Sequence, residues 1–208
     1  MTLSEQIAAG VSAMGLELPQ GAIEKLAGHI ELVEKWNRVH NLTAVRSPDQ
    51  MVPLHVLDSL SILSHLGDAS SIVDVGTGAG LPGIPLAIAR PAMRVTLLDS
   101  SHKKCAFLQQ AKTELGLANV DIVCDRVEGW NPPAKFDVAV SRAFSDLADF
   151  VEQARHLVAA GGRLIAMKGV HPFDEIARVP PTHRVSQVLE LTVPGLDAHR
   201  HAVFLEAA

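Results

Sequence analysis

The feature that most constrains this chain is a glycine-rich segment that directly follows a short apolar run. Residues 71–73 (Ser-Ile-Val) predict a buried strand, Asp74-Val75-Gly76-Thr77-Gly78-Ala79-Gly80 predicts a turn, and residues 81–89 predict the start of a helix. Such a turn places backbone N–H groups beside a ligand over the strand end, and glycine lets that ligand approach closely. The segment therefore predicts a cofactor-binding turn.

The composition restricts the class of protein. The chain has 208 residues, of which 48% are hydrophobic and 20% charged, which is enough for one ample core. A net charge of −5 argues against general binding of nucleic acid, although a local basic patch is compatible with it. No apolar run approaches the roughly 18 residues of a membrane span, and we find no signal-peptide pattern. Two cysteines fit reduced thiols, so we expect a cytoplasmic protein without a membrane partner.

The hydrophobic pattern changes near residue 68. Residues 1–67 show helical spacing, including a helix from about Gln50 to His65, and we assign them to an N-terminal helical extension packed on the core. From residue 68 to residue 208, strands alternate with helical patterns near 82–90, 102–116, 145–159 and 172–178. The predicted strands are Ile72–Val75, Val95–Leu98, Val120–Cys124, Phe136–Val140, Arg163–Met167, Val185–Thr192 and Ala202–Glu206. This order predicts a Rossmann-like α/β fold, with a mostly parallel sheet of about seven strands and a C-terminal antiparallel hairpin.

Two overlapping frames compete for the glycine turn. Residues 78–83 match G-x-G-x-x-G, and Asp99 follows at a distance typical of dinucleotide-binding proteins. However, Gly76 rather than Gly78 closes the strand, and the prolines at positions 82 and 85 would stiffen the start of the helix. The second frame is Asp74-x-Gly76-x-Gly78-x-Gly80, and it resembles class I S-adenosylmethionine-dependent methyltransferases. That cofactor carries cationic groups and no phosphate, so the Asp74 carboxylate suits it better. A structural turn that binds nothing is the third interpretation.

Further cofactor contacts are expected after the second and third strands. Asp99 ends the second strand, where an acid accepts hydrogen bonds from ribose hydroxyls in this fold; capping of the next helix is the alternative. The resemblance to methyltransferases places the adenine edge near Val127 and Glu128. For Glu128, a solvated surface acid is the alternative interpretation.

Several phrases spread over the chain carry a more specific resemblance. They are Trp36-Asn37-Arg38-Val39-His40-Asn41-Leu42-Thr43, His55-Val56-Leu57-Asp58-Ser59, the turn 74–83, Leu98-Asp99-Ser100, Val140-Ser141-Arg142-Ala143-Phe144 and Met167-Lys168-Gly169. The chain resembles the glucose-inhibited division protein B family over essentially its whole length. Members of that family are bacterial methyltransferases that modify N7 of one guanine in 16S ribosomal RNA.

The resemblance implies S-adenosyl-L-methionine as the cofactor and the 16S RNA of the small ribosomal subunit as the partner. Carried over by position, the implied cofactor contacts are Gly76, Leu81, Val127, Glu128 and Arg142. The implied RNA-facing residues are Lys103, Arg126, Arg142, Lys168 and Arg200. Because the loops after parallel strands share one edge of the sheet, we expect these cations to surround the cofactor site. A monomer is sufficient, and the ten histidines show no metal-site spacing.

The chemistry of the implied reaction needs no general base. Guanine N7 has a free lone pair, so alignment and exclusion of water should supply most of the rate. Arg142 or Lys168 is expected to position the base through O6, and Phe144 to stack on it, with packing of Phe144 under its loop as the alternative. A small-molecule methyltransferase and a non-catalytic RNA- or cofactor-binding module are the other functions compatible with the sequence.

Overall fold

A seven-stranded sheet forms the centre of the protein in the computed structural model, which describes residues 1–208. The strands are β1 Ser71–Val75, β2 Arg94–Leu98, β3 Val120–Val123, β4 Phe136–Ser141, β5 Val158–Lys168, β6 His183–Glu190 and β7 His201–Ala207. Their order across the sheet is β3-β2-β1-β4-β5-β7-β6. The first five strands are parallel, whereas β7 runs antiparallel to both β5 and β6. The predicted fold, including the C-terminal antiparallel hairpin, is confirmed.

Helices precede the sheet and cover both of its faces. They are α1 Leu3–Ala13, α2 Ala22–His40, α3 Pro48–Met51, α4 Asp58–Leu60, α5 Gly83–Ala89, α6 His102–Glu114, α7 Leu147–Ala154 and α8 Phe173–Ile176. Two 3₁₀ helices, Leu63–Leu66 and Arg155–Leu157, and one π-helical turn, Val52–Leu57, complete the set. None of these helices combines the length and the apolar character needed to cross a membrane.

Alternating residues of β1 supply two separate hydrophobic cores. Ile72 packs with the N-terminal helices, α5 and α6 on one face, whereas Val73 and Val75 pack with α7 on the other. All three side chains are buried, as expected for a strand covered on both faces. Because Ile7 and Leu26 belong to the same core as Ile72, residues 1–67 share their buried side chains with the sheet.

Several element boundaries differ from the prediction. Strand β5 begins at Val158, not at residue 163, because Val158 pairs with Phe136 before a break in register near Val138. The sequence conceals this, since Gly161 and Gly162 favour a loop. Strand β3 ends before residue 124 and β6 before residue 192, and α8 is only four residues long.

The helix predicted from about residue 50 to 65 is interrupted by the π-helical turn. Pro53 has no N–H group to continue an α-helical ladder. The N–H of Asp58 donates to the carbonyl of Pro53, a wider spacing than in an α-helix. The turn places Leu54, His55 and Asp58 next to the carboxyl edge of the sheet, where the site lies.

Candidate active site

Gly76 brings bare backbone to the carboxyl end of β1. Its φ is +69°, which favours glycine, and its N–H donates to the carbonyl of Leu98 at 2.8 Å. A Cβ atom added at this position would lie only 2.7 Å from the Cβ of Ala143. The turn therefore requires glycine here for both its conformation and its space.

The Asp74 side chain is turned away from the edge of the sheet. It is fully buried, and one carboxylate oxygen accepts hydrogen bonds from the Thr77 hydroxyl at 2.6 Å and the Gly83 N–H at 2.7 Å. Burial raises the pKa of Asp74 to about 7, against the effect of these two hydrogen bonds. The other oxygen, Oδ1, has no partner. Asp74 thus fixes the turn onto the start of α5, and its carboxylate does not line the main cavity, where a contact with a cationic cofactor was expected.

A cavity of about 450 Å³ opens where β1, β2 and β4 end. We refer to it as the main cavity. It is lined by Val75, Gly76, Leu98, Asp99, Ser100, Lys104, Asp125, Arg126, Val127, Glu128, Ala143, Phe144 and Gln153. Of the nine predicted cofactor positions, Gly76, Asp99, Val127 and Glu128 line it. Gly78, Gly80 and Leu81 do not line it. The N–H of Gly78 donates to Asp99, Gly80 packs against Ile84, and the Leu81 side chain belongs to the hydrophobic core.

Asp99 is held rigidly at the end of β2. One oxygen accepts a hydrogen bond from the Gly78 N–H at 2.9 Å and the other from the Ser101 N–H at 3.0 Å. Lys104 Nζ lies 3.6 Å from the same carboxylate. Each oxygen still has a lone pair for a further donor, so Asp99 can accept hydrogen bonds from hydroxyl groups in the main cavity.

Phe144 forms part of the opposite wall of the main cavity. Its side chain is half-buried, and its ring centroid lies 5.0 Å from that of Phe150 at an angle of 35°. The ring thus packs under its loop, as one of the two interpretations predicts, and it also borders the cavity, so stacking on a base stays a prediction.

A smaller cavity of about 210 Å³ lies on the side facing the π-helical turn. We refer to it as the second cavity. Its lining residues are Asp58, Arg142, Met167, Lys168, Gly169, Leu191, Arg200 and His201. Three of the five predicted RNA-facing cations meet here, Arg126 lines the main cavity, and Lys103 is exposed at the start of α6 and lines neither. Four of the five cations are thus divided between the two cavities, and the five do not form a single ring.

Asp58 organises the second cavity. Its Oδ1 accepts a hydrogen bond from Arg200 Nε at 3.0 Å, and its Oδ2 lies 3.0 Å from Arg142 Nη1 in an ion pair without hydrogen-bond alignment. Arg142 Nη2 also donates to the carbonyl of Leu54 at 3.2 Å. Burial raises the pKa of Asp58, and the two guanidinium groups act in the opposite direction. Arg142 is therefore anchored in the second cavity and does not line the main cavity, where a cofactor contact was expected.

Lys168 connects the two cavities. Its Nζ donates to the carbonyl of Phe144 at 3.0 Å and forms a 2.7 Å ion pair with Glu175. Since an ammonium group has three N–H donors, one remains for a ligand. The Arg142-Ala143-Phe144 segment also borders both cavities, so a molecule in one lies beside residues of the other.

The N-terminal helices brace the glycine turn. His29 on α2 is buried, and its Nε2 lies 2.8 Å from the carbonyl oxygen of Ala79. Burial lowers the pKa of His29 to about 4, so the ring is neutral near pH 7 and its N–H donates to that carbonyl. Residues 1–67 consequently hold part of the site in place.

Sequence reasoning missed some of the lining residues. Lys104, Asp125 and Gln153 belong to the main cavity, and only the position of Lys104 in the first turn of α6 offered a signal. Asp58 appears only within one of the phrases that carry the resemblance and received no role in the site, because its partners lie far away in sequence. No group of three or more His, Cys, Asp or Glu side chains is arranged to hold a metal ion.

Comparison with known proteins gives consistent matches. The GidB family model, described as rRNA small subunit methyltransferase G, matches residues 22–203. Ribosomal RNA small subunit methyltransferase G of Nitrosospira multiformis is 54% identical, with 100% of this chain and 99% of the relative covered. The protein of the same name from Chromobacterium violaceum is 52% identical, with 98% of each covered.

Solved structures share the fold at low sequence identity. The O-methyltransferase TomG from Streptomyces achromogenes, in complex with SAM, has a TM-score of 0.62 at 17% identity and covers 100% of this chain and 99% of its own. A SAM-dependent methyltransferase from Aquifex aeolicus has a TM-score of 0.56 at 17% identity, with 88% and 98% covered. These likenesses bear on the fold alone.

Proposed function

This chain belongs to the family of ribosomal RNA small subunit methyltransferase G, and we propose that it methylates N7 of one guanine in the 16S RNA of the small subunit. It is an S-adenosylmethionine-dependent rRNA methyltransferase. Beyond the family, we propose the methylated atom, the RNA that carries it and the residues that act. The observation that carries it is the junction of the main cavity with a second cavity rich in cations.

The main cavity fits S-adenosyl-L-methionine. Gly76 offers a surface without a side chain, and Asp99 offers carboxylate oxygens at the position where ribose hydroxyls are bound in this fold. Val127 and Glu128 lie on the rim, where we place the adenine. When bound, the cofactor supplies a methyl group on a cationic sulfur. Asp74 takes no direct part, because its carboxylate is buried behind the turn.

The second cavity fits the guanine and its phosphates. Arg142, Lys168 and Arg200 bring three positive charges to this cavity, where Asp58 pairs with the two arginines and Glu175 pairs with Lys168 from outside the lining. The free N–H of Lys168, or an Nη group of Arg142, can donate to guanine O6 and leave N7 open to the methyl group. Phe144 then provides an aromatic face beside the main cavity. None of these residues needs to gain or lose a proton, because N7 reacts through its own lone pair.

We also propose how the chain works as a whole. It acts as a monomer in the cytoplasm, and residues 1–67 form a helical extension that stabilises the domain 68–208. The hydrogen bond between His29 and the glycine turn supports this stabilising role of residues 1–67. Lys103 and Arg126 lie outside the second cavity and are proposed to contact RNA phosphates further from the target base.

The decisive experiment measures methyl transfer from labelled cofactor. Small subunits that lack the modification are the substrate, and free small-molecule metabolites serve as the comparison. We expect label only in the RNA, as 7-methylguanosine after digestion to nucleosides. Label in the metabolites would indicate a small-molecule methyltransferase, label in neither would indicate a binding module, and label at another atom would refute N7.

The role of Asp99 is tested in the same assay. Asp99→Asn replaces the charged carboxylate, which accepts hydrogen bonds, with a neutral amide. We expect cofactor affinity to fall about tenfold or more. Asp121→Asn is the matched control, since Asp121 is exposed and forms only a 3.8 Å ion pair with Lys112. Equal cofactor affinity in the two variants would show that Asp99 does not contact the cofactor.

A further inference from the structure

A second aromatic surface lies outside both cavities, on the segment that leaves β5. Phe173 is 74% exposed, as is Val170, and they are among only four large hydrophobic residues with such exposure. The other two are Met1 and Val39, at the N-terminus and near the end of α2. A fixed aromatic ring left in water is a candidate contact surface.

The Phe173 ring is held in place from one side. Its centroid lies 3.8 Å from that of His171, with an angle of 28° between the planes. His171 in turn meets His201 edge-on at 5.4 Å, and the N–H of Phe173 donates to the His171 carbonyl at 3.1 Å. One part of the ring is therefore covered by an imidazole, while most of it remains open to a planar ligand.

The surroundings of this ring identify the kind of ligand. The segment begins at Lys168 and Gly169, which line the second cavity together with Arg142, Arg200 and His201. A polyanion seated on those cations would continue past His171 toward Phe173. Two acidic residues follow the ring on α8: Glu175 is paired with Lys168, and Asp174 is exposed to solvent. An aromatic face beside a cluster of cations matches the two parts of a nucleotide, the base and the phosphate.

We propose that Phe173, supported by His171, is a stacking platform for an unpaired base of the substrate RNA that neighbours the target guanine. This rests on the proposed function, because it extends the same RNA site. Phe144 differs from Phe173 in that it is half-buried against Phe150 and borders the main cavity. The two rings thus serve different bases, one at the reaction and one beside it.

The test compares three variants with wild type on small subunits and on a single-stranded RNA oligonucleotide. Phe173→Ala removes the ring, Phe173→Trp keeps a stacking face, and Val39→Ala is the control for loss of an equally exposed apolar side chain. We expect Phe173→Ala to raise the half-saturating RNA concentration on the order of tenfold without changing cofactor affinity. Phe173→Trp should bind as wild type, and its new indole fluorescence should be quenched by the oligonucleotide.

Three results would overturn the proposal. The first is unchanged RNA binding by Phe173→Ala. The second is equal weakening by both Phe173 variants without quenching, which would indicate packing. The third is weakened binding to subunits but not to naked RNA, which would indicate a protein partner. Failure of the wild type to methylate would instead contradict the proposed function, and the oligonucleotide measurements would still test the platform.

Discussion

The two cavities of the candidate site are built on different physical principles. The main cavity is shaped by backbone, with the Gly76 turn and an Asp99 carboxylate fixed by N–H donors. The second cavity is shaped by charged side chains, with Arg142 and Arg200 fixed on the buried Asp58. A backbone-built site tolerates no added atoms, whereas a site built from ion pairs depends on the balance of charge. The two cavities should therefore fail under different substitutions.

The largest expected effect concerns the charge at the centre of the second cavity. Asp58→Asn leaves two partly buried guanidinium groups without their counter-charge, and we expect it to lower the free energy of unfolding by about 3 kcal/mol or more. It should also weaken RNA binding while cofactor affinity changes little. Denaturant unfolding and separate titrations with cofactor and RNA measure these effects.

Glu34→Gln is the control for Asp58→Asn. Glu34 pairs with Arg38 on the surface of α2, where both side chains are substantially exposed, so its loss should change the free energy of unfolding by at most ~0.5 kcal/mol. Equal effects of the two substitutions would show that Asp58 is not the organising charge of the second cavity.

The next effect concerns pH and the brace behind the main cavity. The pKa of His29 is about 4 in the folded protein, against an ordinary value of 6.5. Its neutral form therefore contributes stability that is present above pH 6.5 and is lost as the pH falls toward 4. Between pH 7 and pH 5 this loss amounts to about 2 kcal/mol.

His29→Gln should make the acid side of the stability profile shallower by that amount, because the amide keeps an N–H donor and does not titrate. Unfolding free energies at pH 7 and pH 5 provide the measurement. His102→Gln, at an exposed position, should leave the slope as in wild type. If the free energy of unfolding of His29→Gln fell between pH 7 and pH 5 as much as that of the wild type, another group would control the loss of stability in acid.

The smallest effect concerns the shape of the main cavity. Gly76→Ala places a methyl group 2.7 Å from Ala143 in a backbone conformation that costs about 1–2 kcal/mol for an L-residue. We expect roughly a tenfold loss of cofactor affinity by calorimetry, with RNA binding retained.

Gly15→Ala isolates the conformational part of that effect. Gly15 has a φ of +64°, and an added Cβ atom would meet nothing within 4 Å. Gly15→Ala should lower the free energy of unfolding by a similar backbone contribution and leave cofactor affinity unchanged. If Gly76→Ala and Gly15→Ala bound the cofactor with equal affinity, the prediction that the Gly76 backbone closely contacts the cofactor would be wrong.

The same contrast explains what could be predicted from the sequence. The strands, the glycine turn and the position of Asp99 follow from contiguous patterns, since Asp99 directly follows β2. Val127 and Glu128 were named from the resemblance, and they lie in the loop beyond the end of β3. The direction of the Asp74 side chain could not be predicted from the motif. Alternation along β1 puts it on the same face as Ile72, toward α5, and a motif does not reveal which face that is.

The second cavity could not be assembled from the sequence. Asp58 and Arg200 are 142 residues apart, and they meet only because β7 inserts antiparallel beside β5. The π-helical turn also shifts the position of Asp58 relative to a regular α-helix, and Pro53 alone did not predict that shift. Individual cations could be named from the resemblance, but their shared partner could not.

The antiparallel course of β7 also sets the order in which the site is completed as the chain is made. Every residue that lines the main cavity lies between Val75 and Gln153, whereas the second cavity needs Leu191, Arg200 and His201. A chain emerging from the ribosome therefore contains all residues of the main cavity before it contains all residues of the second cavity, which we propose binds RNA. The residues proposed to bind the RNA substrate are thus completed last during translation.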